Sequence, residues 1–214
     1  ADIDWDSLRE SVQLCIRFLD DVIEVNPYPL KVIDECVKSN RRVGLGVMGW
    51  ADMLMKLAVP YDSEQAVELG GRVMKFINEA AHEATERLAE ERGSFPTWPN
   101  SIYAGGKPAR NATVTTIAPT GTISIIGGCS SGIEPIFALA FQHVVGDRRL
   151  TFVNPVFEAM ASTHGFFTQE VRDEVLKKGM ARGVKGIPEQ FQRVFVTAHE
   201  VAPEWHIRHQ AAFQ

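Results

Sequence analysis

Between Ala66 and Leu88 apolar residues recur at three- and four-residue steps, with Ala66, Leu69, Val73, Phe76, Ile77, Ala80, Ala84 and Leu88 on one stripe. A stripe of that period is one face of a long helix, and it folds only if other elements cover it. Asp62 or Ser63 can open this helix and Gly93 can stop it. A second stripe, Leu8, Val12, Cys15, Ile16, Leu19, Val22 and Ile23, follows Asp6 or Ser7 as cap. It ends at Asn26-Pro-Tyr-Pro29, where each proline removes a donor and restricts the residue before it. A short helix is expected from Leu30 to Lys38. Further helices are predicted over 155–163 and 168–178, with Asn154 and Thr168 as caps, then over 189–193 and 204–213, with Pro203 in the first turn of the last.

Few β-branched runs lie between these helices. Arg41 to Met48 reads as a buried strand that flows into a helix through Ala51 to Met55, Ala112 to Ile117 as a second strand and Ile136 to Phe141 as a third. Phe95 to Arg110, rich in proline, glycine and polar residues, reads as an extended surface loop. Long helices separated by few strands place the chain in the α/β class, helix-rich.

The 214 residues are 45% hydrophobic, enough for one substantial core. A formal net charge of -5 argues against recruitment of nucleic acid or an anionic membrane surface. The basic groups Arg41-Arg42, Arg148-Arg149 and Lys177-Lys178 are isolated pairs that read as solvated surface. An anionic ligand would therefore have to be held locally. Cys15, Cys36 and Cys129 form no metal-ligand spacing and no disulfide framework, which fits a reducing cytoplasm. His206 and His209, three apart on one helix, lack further ligands and read as surface or packing residues rather than a metal site. No apolar run approaches the roughly 20 residues of a membrane span. Both ends read as cut, so residues 1–214 are expected to be a single fragment of one domain, truncated at each end.

Gly44-Leu-Gly46-Val-Met-Gly49 has the spacing of a dinucleotide-binding turn, but its context is wrong. A charged helical stretch precedes it, and no acidic residue ends a second strand about 20 residues later, so the glycines read as allowing close strand packing. Pro119-Thr-Gly-Thr-Ile-Ser124 is more informative. It turns from the end of a strand into a short helix, where free N–H groups and a partial positive charge can hold a phosphate without a lysine. Gly121 allows close approach of an anion, and Thr120, Thr122 and Ser124 offer hydroxyls. Without the Walker lysine, hydrolysis of a nucleoside triphosphate is not implied. An ordinary capped turn is the alternative that composition alone allows. In Gly127-Gly-Cys-Ser-Ser-Gly-Ile-Glu-Pro135 the default for Cys129 is a buried, inert thiol, since no base lies near it in sequence.

Ala118-Pro-Thr-Gly-Thr-Ile-Ser124, followed by Gly128-Cys-Ser-Ser-Gly-Ile-Glu-Pro135, resembles the substrate-phosphate segment of class II ribonucleotide reductases. Arg41-Arg-Val-Gly-Leu-Gly-Val-Met-Gly-Trp-Ala-Asp52 resembles a barrel strand of that family, and Pro203 to Gln214 a helix beyond it. The three blocks occur in the family's order. The resemblance implies part of a ten-stranded α/β barrel, with adenosylcobalamin as cofactor, a ribonucleotide as substrate and a thioredoxin-type reductant as partner. It also implies thiyl-radical chemistry on a cysteine in an Asn-x-Cys-x-Glu motif. That motif is absent here, so no catalytic residue is expected within these residues and the isolated chain is expected to be inactive. Pro119, Thr120, Gly121, Thr122, Ile123 and Ser124 are carried over as the cradle for the substrate's diphosphate, while Gly132 to Pro135 are expected to be structural neighbours. A class I large subunit is the rival within the family, disfavoured because that class usually has Pro-Thr-Ala-Ser where this chain has Pro-Thr-Gly-Thr. A non-catalytic half of a split enzyme, completed by a companion chain, is the rival outside it.

Overall fold

The computed structural model describes residues 2–146 and 148–214, apart from the side chains of residues 143–145 and 148. The surface position expected for Arg148 falls outside the described residues. Two compact units make up the chain, one of residues 1–2, 47–71 and 119–214, the other of residues 3–46 and 72–118.

In the unit of residues 3–46 and 72–118, helix α1 spans Trp5–Val25. Its cap is Asp4 rather than Asp6 or Ser7, the carboxylate accepting from the Ser7 N–H at 3.0 Å. Starting earlier brings Trp5 into the helix, where its ring meets Phe76 edge-on at 4.9 Å. Helix α2, Lys31–Asn40, ends at Arg41 in the left-handed conformation (φ 48°). Helix α4 runs Glu64–Arg92, the long element that the stripe demands, and contributes residues to both units. Within this unit Val73, Ile77, Ala80, Ala84 and Leu88 are buried, as that stripe requires. Gly93 stops the helix at φ 80°. Phe95 departs from the surface-loop reading because it is 2% exposed, anchoring the start of its loop in the core.

The first two expected strands lie side by side here, running parallel, but they shrink to a single bridge between Leu45 and Thr115. Val43 donates to the Thr113 carbonyl at 3.1 Å and Thr116 to the Leu45 carbonyl at 3.0 Å. Gly44 and Gly46 make this approach possible. A Cβ on Gly44 would stand 2.9 Å from the Thr116 side chain, and one on Gly46 3.0 Å from the Thr116 carbonyl oxygen.

Asp20 is the polar centre of the unit. It is fully buried, and its carboxylate accepts from Arg41 at 2.8 and 2.9 Å, Asn111 at 2.9 Å, Arg92 at 3.0 Å and Arg110 at 3.3 Å. Burial pushes its carboxyl up, but the hydrogen bonds from Arg41 and Asn111 and the charges of Arg41 and Arg110 outweigh it and hold the group below the ordinary value. One carboxylate thus joins α1, the residue ending α2, the end of α4 and the entry to the second strand. Arg41, expected on the solvated surface, is instead 3% exposed because its partners lie in the core, so it has no water to fall back on.

The other unit opens with helix α3, Trp50–Lys56, followed later by helix α5, Gly121–Gly127. Strands β1, Ala140–Val145, and β2, Arg148–Val153, pair antiparallel, with Ala140 opposite Val153 and Phe141 opposite Phe152. The third expected strand, 136–141, is corrected by this hairpin, because only residues 140 and 141 belong to β1. The rings of Phe141 and Phe152 stack at 5.2 Å, a cross-strand pair that fixes the register. Helices α6, Pro155–Thr163, α7, Gln169–Lys178, α8, Glu189–Val194, and α9, Pro203–Phe213, follow close to their expected bounds. Asn154 and Thr168 cap α6 and α7 through their side chains, and Phe157 and Phe195 pack edge-on at 5.1 Å in the core. No helix among the described residues is long and apolar enough to cross a membrane.

Three residues tie α3 and α9 to the segment before α4. The Trp50 indole N–H donates to His209 Nδ1 at 3.2 Å, so His209 Nε2 carries the proton and donates to the Tyr61 carbonyl at 2.8 Å. His209 is fully buried in the packing role expected of it, with its ring 4.0 Å from that of Tyr61. Burial pushes its imidazole below the ordinary value despite the Tyr61 hydrogen bond.

Two outcomes follow from these networks. Asp20→Ala leaves the Arg41 guanidinium buried without its counter-charge and is expected to cost about 3–5 kcal/mol in chemical denaturation, against a small effect for an exposed carboxylate such as Glu79. His209 gives a pH dependence. The unfolded chain takes up its proton near 6.5 and the folded chain only at lower pH, so the stability it contributes is whole above 6.5 and declines as pH falls from 6.5 toward the lowered folded value. Denaturation midpoints measured across that window should fall in the native protein, and His209→Asn should flatten the decline.

Candidate functional site

The turn at 119–124 enters a short helix, α5, as expected, but the strand expected before it is reduced to a single bridge at Thr115. Thr120 stands immediately before α5 in the left-handed conformation (φ 54°, ψ 25°), which costs a residue with a Cβ about 1–2 kcal/mol. Its hydroxyl Oγ1 accepts the Gly132 N–H at 2.7 Å, and that bond holds it there. The first N–H of the turn used within the helix is that of Ser124, donating to the Thr120 carbonyl at 2.9 Å. Among the described residues the N–H groups of Thr120, Gly121, Thr122 and Ile123 have no partner. Residues 121–123 are exposed, and a Cβ on Gly121 would meet nothing within 4 Å. Open donors facing open space are what an anion requires.

The hydroxyls divide. Thr122 is exposed, and Thr120 is engaged with Gly132. Ser124 departs from the expectation that it faces ligand, since it is 2% exposed. Its Oγ donates to the Gly121 carbonyl at 3.2 Å and shares a 2.9 Å hydrogen bond with Ser131 Oγ. Its place on the inner side of the helix turn ties α5 to the Gly-Ser segment that follows it.

The Gly-Ser segment after α5 supplies that bracing. Gly128 ends the helix in the left-handed conformation (φ 64°), and Ser130 then docks on the first turn of α3. The Gly49 N–H donates to the Ser130 carbonyl at 2.7 Å, the Ser130 N–H to Asp52 Oδ2 at 2.7 Å, and the Asp52 N–H to Ser130 Oγ at 3.3 Å. Gly49, the last glycine of the dinucleotide-like spacing, is thus the start of α3, with φ 81° and a Cβ position 3.5 Å from Cys129 Cβ. Cys129 is half-buried, and among the described residues its sulfur has no hydrogen-bond partner. Further on, the Tyr61 hydroxyl donates to the Ile133 carbonyl at 2.7 Å; Ile133 and Pro135 are buried and Glu134 is exposed.

Two recesses flank the assembly. One of about 350 Å³ has Gly121, Ser124, Ile125, Cys129, Glu134 and Phe137 among its walls. The other, about 480 Å³, is bordered by Asp52, Lys56, Gly127, Cys129 and Val156, among others. Sequence reasoning missed Asp52 and Ser130. The available signal was a carboxylate inside the apolar helical run Ala51 to Met55, where it had to be buried and partnered.

The family described as "Ribonucleotide reductase, barrel domain" matches residues 1–109 and 106–214. The vitamin B12-dependent ribonucleoside-diphosphate reductase of Thermoplasma acidophilum is 52% identical over 214 residues, covering 99% of this chain and 28% of that protein. The protein of the same name from Mycobacterium tuberculosis (strain CDC 1551 / Oshkosh) is 49% identical over 212 residues, covering 99% of this chain and 31% of that protein. Among solved structures, the Actinobacillus ureae class Id ribonucleotide reductase alpha subunit superposes with a TM-score of 0.78 at 24% identity, covering 95% of this chain and 38% of that one. The chain therefore has the fold of part of that barrel and spans less than a third of the length of the two B12-dependent relatives.

Proposed function

The chain belongs to the ribonucleotide reductase barrel-domain family, and we propose on that premise that its turn at 119–124 cradles the diphosphate of a ribonucleotide in a complete, adenosylcobalamin-dependent reductase. In this reading residues 1–214 form one piece of the catalytic barrel, and the radical-bearing cysteine is supplied from outside them. The observation that carries the proposal is the set of unpartnered N–H groups at residues 120–123 with open space before Gly121.

The chemistry asked of these residues is binding and orientation. Amides of Gly121, Thr122 and Ile123, with the Thr122 hydroxyl, donate to phosphate oxygens, and the positive end of α5 adds to the field. Fixing the diphosphate fixes the ribose at a set distance, so the 3' hydrogen can face a thiyl radical while the 2' hydroxyl takes a proton and leaves as water, the two electrons and two protons coming from a cysteine pair outside these residues. A net charge of -5 does not oppose this, because the anion is held by local dipoles rather than by the field of the whole chain. Pro119 lacks an N–H and sets the backbone direction into the turn.

The cofactor is proposed for the complete protein, on the strength of relatives named as vitamin B12-dependent. The residues described here do not fit it by themselves. The recesses of about 480 and 350 Å³ are of a size that holds drug-like ligands, and a corrin ring with its nucleotide tail is larger. No step is assigned through it on these residues. A thioredoxin-type reductant, a cytoplasmic location and, if the barrel is split, a companion chain complete the reading.

Two measurements test it. In the complete enzyme Gly121→Val places a branched side chain where the anion sits, without strain from a left-handed backbone, since Gly121 has no positive φ. Loss of one or two charge-assisted amide bonds should weaken ribonucleotide binding by about 10- to 100-fold. Unchanged affinity would remove the turn from the substrate site. Separately, turnover of the complete enzyme should require added adenosylcobalamin, and full activity in its absence would reassign the radical source.

A further inference from the structure

We propose that Asp52 is a positioning residue for the phosphate-binding turn, acting through Ser130 and Gly132 on Thr120. The inference rests on the reading of 119–124 as the diphosphate cradle. It names a residue 67 positions earlier in the chain, on a different helix, that sets the geometry of that cradle.

Asp52 occupies the third position of α3 and is 9% exposed. One carboxylate oxygen, Oδ2, accepts the Ser130 N–H at 2.7 Å. The other, Oδ1, is buried and has no hydrogen-bond partner. An unpartnered buried carboxylate oxygen is a standing cost to the folded state, so whatever Asp52 secures through Oδ2 must matter to the protein. What it secures is Ser130, whose N–H, carbonyl and hydroxyl are all engaged by the first turn of α3. The Gly132 carbonyl also accepts from the Trp50 N–H at 3.4 Å. Residues 130–132 are therefore held rigidly on α3.

From that anchored segment two bonds reach the turn. Ser131 Oγ meets Ser124 Oγ at 2.9 Å, and the Gly132 N–H donates to Thr120 Oγ1 at 2.7 Å. Thr120 needs such a hold because its left-handed backbone is unfavourable for a residue with a Cβ. If residues 130–132 drift, Thr120 relaxes toward ordinary φ, and the N–H groups of 121–123 no longer share one focus. The charge on Asp52 makes the first link of this chain a charge-assisted bond, the strong kind. Asp52 touches no substrate in this scheme; its effect is on where the amides point.

The test uses the complete enzyme. Asp52→Ala is expected to raise KM for the ribonucleotide about tenfold while kcat stays within about twofold, and Asp52→Asn, which keeps an acceptor for the Ser130 N–H, is expected to restore most of the loss. A double-mutant cycle with Thr120→Val, which removes the acceptor of the Gly132 N–H, should be strongly non-additive in KM, because both changes cut one path. Unchanged KM in Asp52→Ala, equal damage from Asn and Ala, or additive losses in the cycle would each overturn the proposal. Should Asp52→Ala not fold, Thr120→Val alone cuts the same path at its last bond and should raise KM with kcat preserved; an unchanged KM there refutes the proposal equally. Gly121→Val separates the two levels. If it leaves KM unchanged, the cradle itself is misassigned and the role of Asp52 falls with it. If it raises KM while Asp52→Ala does not, only the positioning role fails.

Discussion

The bond from the Gly132 N–H to Thr120 Oγ1 decides the character of the turn. A threonine at φ 54° is held against its own preference, and the amides that follow are those that any helix start leaves without an intrahelical partner. The conformation of Thr120 sets the direction in which the chain enters α5, and the fold maintains it by packing a second backbone segment behind the first.

Each unit solves a similar problem with a different economy of charge. Around Asp20 three arginines and an asparagine surround one fully buried carboxylate, so every group is answered and the network joins four stretches of chain. Around Asp52 one oxygen is answered and the other is not. The first pattern is that of a structural hub, in which buried ions persist because all their hydrogen-bonding capacity is used. The second is what remains when the position of a backbone segment takes precedence over satisfying a side chain.

What could be read in advance follows the same physics. Helices α4, α6, α7, α8 and α9 were legible because their period, caps and stops are local, as with Asn154, Thr168 and Gly93. Strands were legible only as extended chain. Whether 43–45 and 113–116 form a ladder or a single bridge depends on a partner about 70 residues away, which no local pattern encodes. The hairpin was missed for a related reason: Phe141 and Phe152 reveal a strand pair only once the register is known. The turn into a short helix was readable from Pro119, Gly121 and the β-branched run before them, while the left-handed conformation of Thr120 was not. The inward direction of Ser124 was not, since it depends on a packing partner seven residues later.

The same limit explains why motif residues and their supports divide as they do. Residues 119–124 are recognisable because glycine, proline and small hydroxyl side chains are what a close backbone approach to an anion demands, wherever it occurs. Asp52 and Ser130 carry no such chemical signature; an aspartate in a helix and a serine in a loop suit many roles. Their function exists only in the pairing, with three bonds between α3 and one serine that fix where a threonine ten residues earlier can point. Under the proposed reading, the hold on an anion depends as much on residues that never approach it as on the amides that do.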